Sequence, residues 1–375
     1  GENYKDDDCA LFMPQTLDDN IYDPVDAMLV AKMHKAITVI QLKLEGQLIE
    51  RHPEWGMAKR DIFRMVDFDR GTVTIDGREY ALLDSNFPTV NSGDPLALTD
   101  AENELMSVLE NSFMHSERLN SHIRFLYSKG SMYKAINGNL LFHGCIPLDE
   151  NGQLQSVCIA GSEYSGKALL DRLDEIANRA YFMQPGDEKD YAADYMWYLW
   201  SGDRSPLYGK DKMAFFERYF LDDKELHREN YNAYYHFSEQ AEVCGRILEM
   251  FGLDPERGHI INGHVPVKIK NGEKPVKAGG RLFVIDGGIS KAYQKATGIA
   301  GYTLIYDSHS LNLAEHKPFI AGESEHTPEI HLVERLDRRA NISDTDKGAE
   351  LLEQINDLRE LLKAYRSGEI KESGR

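Results

Sequence analysis

The stretch "NLLFHGCIPL", Asn139 to Leu148, decides how this chain is read. A short apolar run ends in His143, and Gly144, Cys145 and Pro147 follow closely. Short buried runs bounded by glycine are strand-like. Three more have the same texture: "HIINGH" (259–264), "RLFVIDGG" (281–288) and "AGYTLIYDS" (300–308). Their spacing around a helical stretch from about residue 165 to about residue 255 predicts an α/β core. In such cores, functional groups collect just past strand ends, where rigid strands hold loops toward ligand. Three ends here carry polar groups: His143, His264, and Asp286 with Gly287 and Gly288. Two neutral imidazoles over one sheet edge suit a borderline divalent metal, and adjacent glycines let backbone approach closely. The alternative for each histidine is a hydrogen-bonded structural residue beside a strand.

Toward the N-terminus, residues 1 to about 24 are rich in Asp, Asn and Pro and carry no period, which predicts an ordered loop or a lead-in. Leu29, Met33, Ile37, Ile40, Leu44 and Leu48 then recur at steps of three or four, the apolar stripe of a helix that Pro53 stops. "FDRGTVTIDGREYALLD" (68–84) has the alternation and the Asp76-Gly77 turn of a β-hairpin. Thr99 and Glu102 make a capping box for one long helix running past Leu105, Leu109 and Phe113 toward Phe125 and Leu126. Near the C-terminus, Leu351, Ile355, Leu358 and Leu362 form a heptad-like seam, fit for a capping helix on its own domain or for contact with another subunit. The expected division is a mostly helical section with a hairpin over 1–135, a core section over 136–325 with a helical insert at about 165–255, and a tail over 326–375.

The 375 residues allow two or three domains, or one large α/β unit with insertions. A hydrophobic share of 42% and a charged share of 28% fit a soluble globular protein. The net charge of −19 repels a phosphate backbone, so nucleic acid is not an expected partner. No apolar stretch approaches the roughly 20 residues of a membrane span, and the acidic N-terminus does not read as a signal peptide. No membrane partner and a cytoplasmic location are expected. Cys9, Cys145, Cys158 and Cys244 are scattered and form no C-x-x-C pair, which argues against a disulfide framework or a cysteine zinc site. The first residue is Gly1, so the sequence is read as a possible processed, tagged or truncated piece.

"LLFHGCIPLDENG" (140–152) resembles the strand end before a histidine and glycine in calcineurin-like metallophosphatases, and "INGHVPV" (261–267) resembles their later Gly-His metal motif. "IRFLYSKGSMY" (123–133), "MWYLWSGDRSPLYGKDKMAFFERYF" (196–220), "GHIINGHVPVK" (258–268) and "VIDGGISKAYQKATGIAGYTLIY" (284–306) are similar to the class III fructose-1,6-bisphosphatases of bacteria. The likeness extends from "DDDCALFMP" (6–14) to "GIAGYTLIY" (298–306). The resemblance implies hydrolysis of fructose 1,6-bisphosphate to fructose 6-phosphate and phosphate, in gluconeogenesis. It implies two divalent ions, commonly manganese, which activate water and clamp the phosphoryl oxygens. The implied fold is a four-layer α/β/β/α metallophosphatase sandwich with helical insertions, incomplete here. By position, the resemblance makes His143 and His264 metal ligands, to the same ion. The superfamily's other ligands lie in D-x-H, G-D-x-x-D-R-G and G-N-H-D/E motifs, which in the family precede the point where this sequence begins. The chain is therefore expected to be the C-terminal part of such an enzyme, to hold one side of the metal site, and alone to bind manganese weakly and hydrolyse little. Asp307-Ser308-His309 reads as a loop after an outer strand, and Asp67 to Gly71 as a hairpin turn, so neither substitutes for a missing motif.

The phosphate that does not react needs cations or backbone N–H groups. Arg204, Lys210 and Lys212 in "WSGDRSPLYGKDK" and Lys291 in "GGISKAYQK" are the candidates, and each is otherwise a solvated surface charge. "YSGKALL" (164–170) lacks the first glycine of a P-loop and reads as a helix start. Trp197 and Trp200 wall a sugar pocket or belong to the core. Cys145 has no base at short range and is assigned to packing. Two other readings stay open: the same chemistry on a phosphoprotein or dinucleoside polyphosphate, or a non-catalytic fragment that forms homo-oligomers through the C-terminal seam.

Overall fold

The structure is a computed structural model and describes residues 3–14, 26–286, 288, 296–318 and 327–371. In chain order it contains helix α1 (Ala27–Arg51), strands β1 (Val66–Asp67), β2 (Thr72–Ile75) and β3 (Arg78–Ala81), and helices α2 (Asp100–Met114) and α3 (Glu117–Lys129). Strands β4 (Tyr133–Ile136), β5 (Asn139–Phe142), β6 (Val157–Ile159) and β7 (Ser162–Tyr164) come next. Helices α4 (Gly166–Phe182), α5 (Asp187–Ser201), α6 (Phe215–Phe220), α7 (Tyr234–Phe237) and α8 (Ala241–Met250) follow. Strands β8 (His259–Asn262), β9 (Val276–Lys277), β10 (Leu282–Val284), β11 (Gly301–Tyr306), β12 (Ser310–His316) and β13 (Glu329–Arg335) precede the last helix, α9 (Asp346–Ser367). The fold is mixed α/β with several sheets, and the chain divides into two compact units. No helix among the described residues is long and apolar enough to cross a membrane.

The first unit comprises Gly1–Gly130, Ser156–Tyr164 and Asp174–Tyr231. Helix α1 starts where the Asp26 carboxylate accepts the Met28 and Leu29 backbone N–H groups, and the chain turns away at Pro53 as expected. The buried face differs from the predicted stripe. Leu29, Met33 and Ile37 are exposed, and the helix buries Ala31, Lys35, Thr38, Val39, Ile40, Leu42, Lys43, Gly46 and Ile49. The reason is that two lysines on the inner face are ion-paired. Lys35 Nζ lies 2.6 Å from Asp84 Oδ2, and Lys43 Nζ donates to Glu102 Oε2 at 2.7 Å and to the Thr89 carbonyl at 2.8 Å. A hydropathy pattern counts both as outward-facing. The unit's core gathers Phe12, Phe63, Val73, Phe87, Phe216 and Phe220 around this face.

The hairpin is present as read, with β2 paired antiparallel to β3 and Asp76 and Gly77 both at positive φ. Asp67 Oδ1 accepts the Asp69 and Arg70 N–H groups, so the Asp67 to Gly71 stretch is a turn. The Thr99–Glu102 capping box forms, but the single long helix does not. It breaks into α2 and α3 because the Ser116 side chain accepts the Leu119 N–H and starts a second helix. Trp197 stacks near Trp55 in an aromatic cluster with Tyr195 and Tyr198, whereas Trp200 is exposed.

The second unit comprises Ser131–Gln155, Ser165–Leu173 and Asn232–Arg375. Its central sheet has the order β4-β5-β8-β10-β9, in which β5, β8 and β10 run parallel. Leu140, Ile260 and Leu282 lie side by side across these strands and pack with Val243, Ile247 and Leu248 of α8. The alternate residues Ile261 and Phe283 face Leu311 of β12 on the other side. Both faces of the parallel strands are covered, which explains their unbroken apolar runs. The fourth predicted run is β11, in the antiparallel sheet β11-β12-β13. Asp307 to His309 is the turn between β11 and β12, closed by Asp307 Oδ1 accepting from the His309 and Ser310 N–H groups.

Candidate metal centre

The parallel strands β5, β8 and β10 all end at one edge, and the three polar strand ends converge there. The Gly263 N–H donates to the His143 carbonyl at 2.9 Å, and the Ile285 N–H donates to the Asn262 carbonyl at 2.9 Å. The Val267 N–H donates to the Asp286 carbonyl at 2.9 Å, so three consecutive loops are tied by backbone bonds. Asn262, buried at the end of β8, donates from Nδ2 to the Gly144 carbonyl and to the Tyr234 hydroxyl, both at 3.1 Å.

On this platform His143 Nε2 sits 3.0 Å from His264 Nδ1, with the rings edge-on and their centroids 4.9 Å apart. His264 has φ +67°, in the left-handed region that costs a residue with a Cβ roughly 1–2 kcal/mol. Strain of this kind persists where surrounding structure over-determines it, and it collects at functional sites. Desolvation of the His143 ring, and then the neighbouring His264, push the His143 pKa below the ordinary histidine value, while the Asp286 charge pulls the other way. The neutral imidazole is the form that donates a lone pair to a metal. The Asp286 carboxylate accepts the Gly288 N–H at 2.8 Å, which fixes its own turn.

The 3.0 Å separation is that of a hydrogen bond between the two rings, and it is also a spacing that two ligands of one ion can have. Imidazole nitrogens bind a borderline ion at roughly 2.0–2.1 Å, and two adjacent ligands at right angles then stand about 3 Å apart. No group of three or more His, Cys, Asp or Glu side chains arranged for a metal is found among the described residues. Cys145 is buried, and burial pushes its thiol pKa well above the ordinary range, which agrees with a packing role.

Lys210 and Arg204 belong to the first unit and the histidines to the second. Lys210 Nζ pairs with Glu229 Oε2 at 2.8 Å between the rings of Tyr208 and Tyr231. Arg204 donates to the Ser156 carbonyl at 3.4 Å. Lys212, not Lys210 or Arg204, lines a cavity of about 300 Å³ in the first unit, together with Lys59, Arg60, Asp203, Asp211 and Glu217. Lys291 lies outside the described residues.

Sequence reasoning missed the backbone strain at His264 and the role of Asn262. The only signal for either was their position, an Asn-Gly-His sequence directly after a buried strand.

The sequence profile of a family described as Firmicute fructose-1,6-bisphosphatase matches residues 1–367. A relative named fructose-1,6-bisphosphatase class 3 from Clostridium botulinum (strain Alaska E43 / Type E3) is 50% identical over 376 residues, which are 98% of this chain and 57% of the relative. Relatives of the same name from Bacteroides thetaiotaomicron and Clostridium tetani are 48% and 50% identical, each over 99% of this chain and 57% of their own length. The chain thus spans a little over half the length of these curated relatives. These shares do not bear out the expectation that it is their C-terminal part, since they fix the length of the overlap and not its position. No solved structure matches.

Proposed function

The chain belongs to the Firmicute fructose-1,6-bisphosphatase family, and from that premise we propose that the protein it represents hydrolyses fructose 1,6-bisphosphate to fructose 6-phosphate and phosphate, as a step of gluconeogenesis. The metal part of this reading rests on one observation, the 3.0 Å approach of His143 Nε2 and His264 Nδ1 at the ends of two parallel strands. In the proposal both histidines hold one divalent ion, manganese, and a second ion completes the site. Such ions, when bound, favour the ionised form of a nucleophilic water and neutralise charge that develops on the transferring phosphoryl group.

This chain's own residues supply orientation. The bond from the Gly263 N–H to the His143 carbonyl couples the two ligand loops, so one imidazole cannot move far without the other. The buried Asn262 amide holds the His143 loop through Gly144. Asp286 is the carboxylate whose charge acts on His143, and it favours a cation at this edge. Lys210, Arg204 and Lys291 are proposed for the distal phosphate, in which case Lys210 must exchange Glu229 for substrate.

We extend the proposal to a four-layer α/β/β/α sandwich. The stacking of α8, the central sheet and β12 supports the helix–sheet–sheet part of it. The section over 136–325 then carries this partial core, flanked by the sections over 1–135 and 326–375. A cytoplasmic location is supported by four free cysteines, three of them buried.

The test is phosphate release by a protein of the relatives' full length, with manganese, on fructose 1,6-bisphosphate, a phosphoserine peptide and a dinucleoside polyphosphate. Preference for the sugar bisphosphate is expected, and indifference to it sinks the assignment. This chain alone is expected to hydrolyse little, and full activity from it would show that other residues complete the site.

A further inference from the structure

Tyr234 of α7 touches the last residue of each strand that leads to a histidine. Its ring stands edge-on to Phe142, which ends β5 directly before His143, with the centroids 5.8 Å apart. Its hydroxyl accepts from Asn262 Nδ2 at 3.1 Å, and Asn262 ends β8 two residues before His264. The same amide nitrogen donates to the Gly144 carbonyl at 3.1 Å, so both of its protons are committed. A flipped amide would set its oxygen against the Gly144 carbonyl oxygen. Tyr234 is fully buried, and Asn262 is 3% exposed.

A second tie starts two residues before Tyr234. Asn232 Oδ1 accepts the Leu148 N–H and the Tyr234 N–H, both at 3.0 Å. The loop from His143 to Leu148 is therefore held near its start through Asn262 and at its end through Asn232, and both anchors meet at Tyr234. Packing alone does not account for the hydroxyl. Phenylalanine would fill the same place in this core, and burying a phenol oxygen is costly unless it is bonded. Burial also drives the Tyr234 phenol well above the ordinary tyrosine pKa, so the group stays neutral and the bond to Asn262 does not change with working pH. We propose that Tyr234 is a positioning residue for the metal edge: its ring and hydroxyl together fix the last residues of β5 and β8, and so set the separation of His143 and His264. The proposal rests on the metal reading of that pair.

The experiment uses this chain, with manganese as the probe. Tyr234→Phe keeps the ring and removes the hydroxyl. It is expected to lower manganese affinity about tenfold by paramagnetic resonance, the low end of the range for groups that orient metal ligands. Tyr4→Phe is the control, because it removes another buried hydroxyl, bonded to Thr89 Oγ1 at 3.2 Å in the first unit, and it should leave the affinity unchanged. Asn262→Ala is expected to lower the affinity at least as far. Adding Tyr234→Phe to it should then have less than about a twofold further effect, since the hydroxyl acts through the amide. In the metal-free chain, the ring nitrogen resonances of His143 and His264 should move in Tyr234→Phe and stay in place in Tyr4→Phe. A merely structural hydroxyl would lower the unfolding midpoint in both tyrosine variants and move neither of these readouts. A parent that binds no manganese would overturn the metal reading and this proposal with it. A parent that binds, with Tyr234→Phe equal to it or with unmoved histidine resonances, would overturn the positioning role alone.

Discussion

His264 Nδ1 lies 3.0 Å from His143 Nε2 although 121 residues separate the two in the chain. The contact exists because β5 and β8 are neighbours in parallel register, with Leu140 opposite Ile260, so that their C-terminal ends fall at one edge. If the two nitrogens share an ion, loss of either should weaken binding by far more than loss of a surface histidine. His143→Ala and His264→Ala are each expected to lower manganese affinity by at least 10–100-fold, the scale seen for weaker outer-shell changes. Manganese paramagnetic resonance on this chain reads the result directly, and His115→Ala, on the exposed end of α2, is the matched control. Equal affinities across the three variants would remove the histidine pair from the metal site.

The positive φ of His264 allows ligand loss and backbone strain to be separated. His264→Gly and His264→Ala both remove the imidazole, but only glycine occupies φ +67° without a Cβ clash. The glycine variant should be more stable than the alanine variant by about 1 kcal/mol, with the same loss of metal binding. Chemical denaturation of both variants measures the difference, and the opposite order would mean that the loop relaxes to a different backbone.

The histidine edge was legible in the sequence because buried parallel strands announce themselves as unbroken apolar runs, and each histidine stands within two residues of a strand's last residue. Leu140, Ile260 and Leu282 sit where those runs predict, and His143 and His264 follow directly. What could not be read was which end of which run lies beside which. Register and parallel direction come from tertiary pairing, and the left-handed turn at His264 comes from loop closure. The first unit was harder for another reason. Its long helix buries Lys35 and Lys43, and a buried, paired lysine is indistinguishable from a solvated one until its carboxylate is placed. The break at Ser116 was marked only by a capping serine inside a run that otherwise reads as helix.

The Lys43–Glu102 pair makes that hidden interaction measurable. Lys43 is fully buried, and Glu102 is 6% exposed and also closes the capping box of α2. Lys43→Met leaves the carboxylate buried without its cation and should cost about 3–5 kcal/mol. The pH dependence follows from Glu102. Burial works to raise its pKa, but the bonds from Lys43 and the Thr99 N–H outweigh this and leave it below the ordinary glutamate value of 4.5. A depressed carboxylate contributes stability that is fully present above 4.5 and lost as pH falls through the lower folded value. The gap between the parent and Lys43→Met should therefore be widest near neutral pH and should narrow below 4.5. Urea midpoints at pH 7 and pH 4 test this, and a gap that widens in acid would contradict the assignment.

Gly46 offers a case in which two rules oppose each other. In the interior of α1, replacing glycine by alanine favours the helix by about 1 kcal/mol. At this position, however, a Cβ would stand 2.6 Å from Leu96 Cδ2 and 2.8 Å from Asp61 Oδ1. Leu96 is 2% exposed and belongs to the first unit's core, so its methyl groups have nowhere to retreat, and Asp61 is itself buried. Overpacking a filled site of this kind costs about 1–3 kcal/mol, which exceeds the helical gain. Gly46→Ala should therefore lower stability by about 1 kcal/mol or more. Leu29→Ala, on the exposed side of the same helix, should change it by less than about 0.5 kcal/mol. Thermal unfolding of both variants decides between the two effects, and a stabilised Gly46→Ala would mean that α1 packs less tightly against Leu96 than the geometry requires.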